Sequence, residues 1–165
     1  MTQQKSLLLT AVKTSLEDAE YEAAAEHLGL ELARVEGTDL AAAYRAAQAA
    51  GAGKLFQGTG DYAFDAELAA ALGVPVVLVA GDERAAELAA RRAGELGAKA
   101  ASISKSELAS FAPEQGDVAP RMSPVVFEAW LLEQAKANRK HIVLPEGDDD
   151  RILQAADQLL REDIV

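Results

Sequence analysis

Two short stretches carry the residue types that chemistry needs. In Pro145-Glu-Gly-Asp-Asp-Asp-Arg151, four carboxylates fall within five residues and an arginine follows. The planar guanidinium of Arg151 suits a bidentate partner, either the nearby Asp148 or a phosphate-bearing ligand. The same acids also suit the first turn of a helix, where the backbone dipole favours negative charge. Gly58-Thr-Gly-Asp-Tyr62 is the second stretch. Coming at the end of a strand, the backbone amides of Gly58, Thr59, Gly60 and Asp61 can face an anion, helped by a helix N-terminus near Asp65. The alternative is a plain glycine turn with Tyr62 packed beneath it.

Other reactive constellations are missing from the sequence. There is no cysteine, which excludes a thiol nucleophile, a disulfide scaffold and a thiolate metal site. His27 and His141 are the two histidines, far apart and without a third ligand at metal-binding spacing. Both read as structural or solvent-exposed, and no metal site is expected. Gly51-Ala-Gly-Lys54 lacks the leading glycine and the following Ser or Thr of a phosphate loop, and it precedes a strand, so it reads as a helix stop.

The elements that must position the two stretches alternate between strands and helices. Ser6 to Val12 is a short, nearly continuous apolar run, as expected of a strand buried on both faces. Ser15 is expected to cap the first helix, which ends at Gly29. A strand over 30–35, a helix over 40–50, a weaker strand over 54–57 and a helix over 64–72 follow. Val74 to Val79 is the clearest buried strand, with Pro75 near its beginning. A helix over 83–96 and a strand over 99–103 complete the pattern. Short connections between such elements imply right-handed crossovers and a parallel α/β sheet flanked by helices, with Leu8, Leu32, Val77 and Leu78 buried.

Residues 112–121 hold two prolines, a glycine and charges, and read as a linker after a first domain over 1–111. Beyond it, Ser123-Pro124 opens a helix that carries Val126, Trp130, Leu131 and Ala135 along one side. His141 to Leu144 reads as a strand, Pro145 to Gly147 as a turn, and 148–161 as a helix. Asp163-Ile-Val165 reads as the entry to a further strand, giving an unfinished second α/β domain over 122–165.

Sixteen basic against 27 acidic residues give a net charge of −11. The excess is spread along the chain, and it makes nucleic acid and anionic membranes poor partners. No apolar run approaches the ~20 residues of a membrane helix, and the start lacks a long secretory core, so a cytoplasmic protein is expected.

The block His-Ile-Val-Leu-Pro-Glu-Gly-Asp-Asp-Asp-Arg-Ile-Leu, 141–153, with the helix from Met122 before it, resembles the opening of the phosphate acetyltransferase catalytic domain. Gly58 to Val79 looks like the later part of the N-terminal region, similar to dethiobiotin synthetase, that some of these enzymes carry. The resemblance implies a parent enzyme that interconverts acetyl-CoA plus phosphate with acetyl phosphate plus coenzyme A. These small molecules would be its substrates, with no covalently bound cofactor, and the full-length form is expected to be a homo-oligomer. Glu146, Asp148 and Arg151 then become candidates for one wall of the substrate cleft. The family's catalytic groups have no matching position in this sequence, so the chain alone is expected to be inactive. The accessory region departs from the ATP-binding pattern, because Thr10-Ala-Val-Lys-Thr-Ser15 has no glycine. A stand-alone regulatory or oligomerisation module is the alternative, with Phe127 and Trp130 on its assembly surface.

Overall fold

A computed structural model describes residues 5–113 and 118–165. Residues 114–117, at the centre of the expected linker, and residues 1–4, at the chain start, lie outside the described residues. The chain divides into two compact units, Met1–Val125 and Val126–Val165.

The first unit is a five-stranded parallel sheet flanked by helices. Its elements run β1 (Leu7–Val12), α1 (Asp18–Leu28), β2 (Glu31–Arg34), α2 (Leu40–Ala50), β3 (Lys54–Gln57), α3 (Tyr62–Leu72), β4 (Val76–Ala80), α4 (Glu83–Glu95) and β5 (Ala100–Ser104). The strand order is β2-β3-β1-β4-β5. From β1 the chain moves toward one edge, and each later connection moves toward the other. Right-handed crossovers therefore put α1 on one face and α2, α3 and α4 on the opposite face.

The continuous apolar run of β1 follows from this layering, since side chains alternate between two covered faces. Leu7 and Leu9 join Leu55, Val77 and Val79 against Tyr21, Ala24 and Ala25 of α1, with Leu108 closing that face. Leu8 and Leu78 are buried toward the other helices. Each such side chain contributes roughly 1.5–3 kcal/mol when fully buried. Leu32 is only half-buried, because β2 is an edge strand. Alanine dominates the inner faces of the helices, and α3 buries Ala66, Ala69, Ala70 and Ala71. Small side chains let these helices lie close to the sheet.

Several local expectations are corrected. Ser15 does not cap α1: β1 runs on to Val12, Lys13 takes a left-handed conformation, and Glu17 forms a capping box with Glu20. α3 begins two residues earlier than expected, because Asp61 is a strong N-cap that accepts from Ala63 N and Phe64 N. The first compact unit also continues past residue 111. Arg121 N donates to Ala70 O at 2.8 Å, and its guanidinium donates to Leu96 O at 2.5 Å. Pro120 lies so close to Gly73 that a Cβ there would sit 2.8 Å from the proline nitrogen. Residues 118–121 are thus held against the carboxyl ends of α3 and α4.

The second unit contains α5 (Pro124–Ala137), whose first turn spans the division, and α6 (Asp150–Arg161). Pro124 starts α5 as expected, but Trp130 and Leu131 of its apolar side are exposed. The segment 141–144 is not a strand, and Asp163 to Val165 is not one either. A strand is defined by its ladder of hydrogen bonds, and this unit offers no neighbouring strand to pair with. Ile142, Val143 and Leu144 are exposed in consequence.

Candidate functional site

The connections from β1 and β3 leave in opposite directions, so these neighbouring strands form the switch point of the sheet. Open α/β sheets bind ligands at the carboxyl ends of such strands. Gly58-Thr59-Gly60-Asp61 lies there, and the structure brings a residue to it that sequence reasoning did not single out. Asp65, one turn into α3, is fully buried and turns its carboxylate back under the loop. Its Oδ1 accepts from Thr59 N at 2.9 Å and from Thr59 Oγ1 at 3.0 Å. Its Oδ2 accepts from Thr10 Oγ1 of β1 at 2.6 Å.

Burial pushes the Asp65 carboxyl up from its ordinary value, while hydrogen bonds from Thr10, Thr59 and the Gly60 amide pull it down. Gly58 leaves room for this arrangement: a Cβ on it would come within 2.5 Å of Asp65 Oδ2 and 2.7 Å of Thr10 Cβ. Asp61 points elsewhere, to the helix amides it caps, and Thr59 Oγ1 also accepts from Asp61 N at 3.2 Å. A sequence signal for Asp65 did exist. It is an acid on the same helical side as Leu68, Ala69 and Leu72, where only a hydrogen-bonded carboxylate is tolerated.

At the neighbouring helix end, Asp18 and Glu20 occupy the first turn of α1. Asp18 accepts from Gln57 Nε2 at 3.3 Å and from Arg34 Nη2 at 2.7 Å, and these contacts hold its carboxyl below the usual range. This helix end presents carboxylates, the opposite of what a nucleotide phosphate needs.

In the second unit, Pro145 to Arg151 lines an open concavity of about 790 Å³ at the start of α6. Asp149 caps the helix by accepting from Arg151 N at 2.9 Å. The Arg151 guanidinium closes back on the same carboxylate, Nε to Oδ1 at 3.1 Å and Nη2 to Oδ2 at 2.7 Å. Arg151 therefore pairs with Asp149 in place of Asp148. Its hydrogen bonds hold the Asp149 carboxyl below its ordinary value. Glu146 and Asp148 are exposed on the loop. The Arg151 side chain is itself 88% exposed, so an anion reaching the concavity can compete for its fork.

The remaining candidates have structural places. His27 Nε2 lies 3.2 Å from Phe111 O, and His141 is exposed. Lys54 pairs with Glu31 across β2 and β3. Among the described residues no group of three or more His, Cys, Asp or Glu is arranged to hold a metal ion, and no helix is long and apolar enough to cross a membrane.

Residues 126–165 match the family described as phosphate acetyl/butaryl transferase. A phosphate acetyltransferase of Corynebacterium glutamicum is 67% identical over 43 residues, 26% of this chain and 13% of that protein. One from Nitratidesulfovibrio vulgaris is 54% identical over 44 residues, 27% of this chain and 6% of that protein. The matched part of the chain is thus a small fraction of these relatives' length. A de novo designed protein with a P-loop NTPase fold aligns over 83% of this chain and 98% of its own, at TM-score 0.46 and 16% identity.

Proposed function

We propose that this chain is the opening portion of a phosphate acetyltransferase, an acyltransferase whose catalytic groups lie in further sequence. The carrying observation is the 67% identity to the Corynebacterium glutamicum enzyme over 43 residues. The family match over 126–165 includes the Pro145 to Arg151 loop.

In the reaction we assign to the parent, a general base takes the thiol proton of coenzyme A and the thiolate attacks the acetyl carbonyl of acetyl phosphate. The carbon–sulfur bond forms, the carbon–oxygen bond to phosphorus breaks, and inorganic phosphate leaves. No enzyme-bound acyl group is needed, and the step runs in either direction. Coenzyme A and phosphate must be oriented together, which requires groups converging from several elements. Glu146 and Asp148 from the loop and Arg151 from the first turn of α6 would supply one wall of such a cleft. Arg151 is the member suited to an anionic group, because its paired, planar fork is already oriented by Asp149.

The exposed Phe127, Trp130 and Leu131 of α5, with Ile142 to Leu144, fit this reading. The Phe127 and Trp130 rings stand 5.9 Å apart. Exposed apolar side chains of this kind are what an isolated piece of a larger core leaves open. A cytoplasmic location and a homo-oligomeric parent belong to the same proposal.

The test measures thioester formation from acetyl phosphate and coenzyme A. The 165-residue chain should not exceed the buffer rate, and a longer polypeptide that contains it should turn over. Arg151→Ala in that longer polypeptide should lower the rate by one order of magnitude or more if the arginine meets the anion. An active 165-residue chain would overturn the partial-enzyme reading, and a folded but inactive longer form would overturn the assignment.

A further inference from the structure

We infer that the switch-point cradle of the first unit is an anion site already occupied by the chain's own Asp65 carboxylate, so that the 58–61 loop is set by an internal ligand and not by a phosphate from solution. This goes beyond the acetyltransferase reading, which rests on the second unit.

The cradle sits at the switch point of the sheet. β1 and β3 are adjacent, their connections diverge, and the carboxyl ends of such a pair are where this class of sheet places anions. Here the donors that would serve an anion converge on one internal group. Thr59 N, Thr59 Oγ1 and Thr10 Oγ1 all lie within 3.0 Å of an Asp65 oxygen. Two of these donors come from the loop and one from β1, so the carboxylate ties the two strand ends together.

The loop donors are already taken. Gly58 approaches so closely that even a methyl group there would collide with Asp65 Oδ2. Asp61 is turned to its own helix amides. A free phosphate could reach the loop donors only by displacing a carboxylate that is covalently part of α3, which gives the internal ligand the advantage of a high effective concentration. Chemically, the cradle selects a small planar carboxylate with two acceptor oxygens.

The experiment removes the internal ligand and offers a free one. In the full chain, Asp65→Ala leaves the buried Thr10 hydroxyl and the Thr59 amide and hydroxyl without their shared acceptor and should lower the thermal midpoint by several degrees. Sodium formate should restore part of the loss in a saturable way, while sodium chloride at equal ionic strength should not. Asp65→Asn should lose less than Asp65→Ala, because its Oδ1 can still accept from Thr59 and the Thr10 hydroxyl can turn to accept from its amide. The inference is overturned if Asp65→Ala is as stable as wild type, or if formate does no more than chloride. Should Asp65→Ala yield no folded protein, the wild-type chain decides. Amide resonances of Thr59 and Gly60 that stay fixed during titration with millimolar inorganic phosphate support the internal ligand, and a saturable shift of those resonances overturns it.

Discussion

Asp65 shows what a single buried carboxylate asks of its neighbours. It fixes Thr10 as a donor and leaves Gly58 as the residue that fits in front of it. Gly58→Ala should therefore destabilise the first unit by about 1–3 kcal/mol, the cost of overpacking a filled site. Denaturant unfolding measures this, and a loss well under half a kcal/mol would show that the loop relaxes freely. Tyr21, against the same end of the sheet, has its phenol pushed up to about 12 by burial, with further contributions from the Asp65, Asp18 and Glu20 charges. The folded state then favours the neutral phenol. Its contribution is complete below the ordinary tyrosine value near 10 and is lost as pH rises toward 12. Tyr21→Phe should remove that part of the alkaline instability, and unchanged unfolding curves for the two proteins between these values would contradict it. The loop 58–61 was legible in the sequence as a place, since glycines after a strand mark it. Its occupant was signalled only by the helical side that Asp65 shares with Leu68, Ala69 and Leu72, and that pattern does not say which donors the acid meets.

Among the elements, strands buried on both faces were the most legible. The runs at 7–12 and 74–79 can serve only as central strands, and they pair in parallel as expected. Helix starts were less legible, because Ser15, Glu17 and Asp18 compete within a few residues and the capping box with Glu20 decides. The 141–144 run shows the limit of local pattern: its residues suit a strand, yet a strand needs a ladder partner, and its own unit provides none. The segment at 118–121 failed differently. As part of a stretch with two prolines and a glycine it reads as a tether, but Arg121 reaches the carbonyls ending α3 and α4, a contact that composition does not predict. Limited digestion with trypsin should therefore cut first at Arg139 or Lys140, in the exposed stretch after α5, and only later at Arg121. Early cleavage at Arg121 would return that segment to a free linker. At α4, Asp82 accepts from Ala85 N at 2.7 Å, and Asp82→Ala should cost about 1 kcal/mol in unfolding free energy.

Across the whole molecule the two units differ in how self-sufficient they are. The first closes its sheet on both faces and satisfies its buried acid internally. The second exposes aromatic and aliphatic side chains and holds its acidic loop at the head of α6 with a single arginine. That contrast is in keeping with the proposed reading, in which an accessory domain precedes the start of a catalytic one. The most direct measurement isolates, from the native cell, the polypeptide that contains this sequence. Its intact mass is determined, and it is assayed for coenzyme-A-dependent exchange between acetyl phosphate and acetyl-CoA. Exchange activity should travel with a polypeptide much larger than 17.4 kDa. A native product of 17.4 kDa, or a larger folded product without exchange activity, would contradict it.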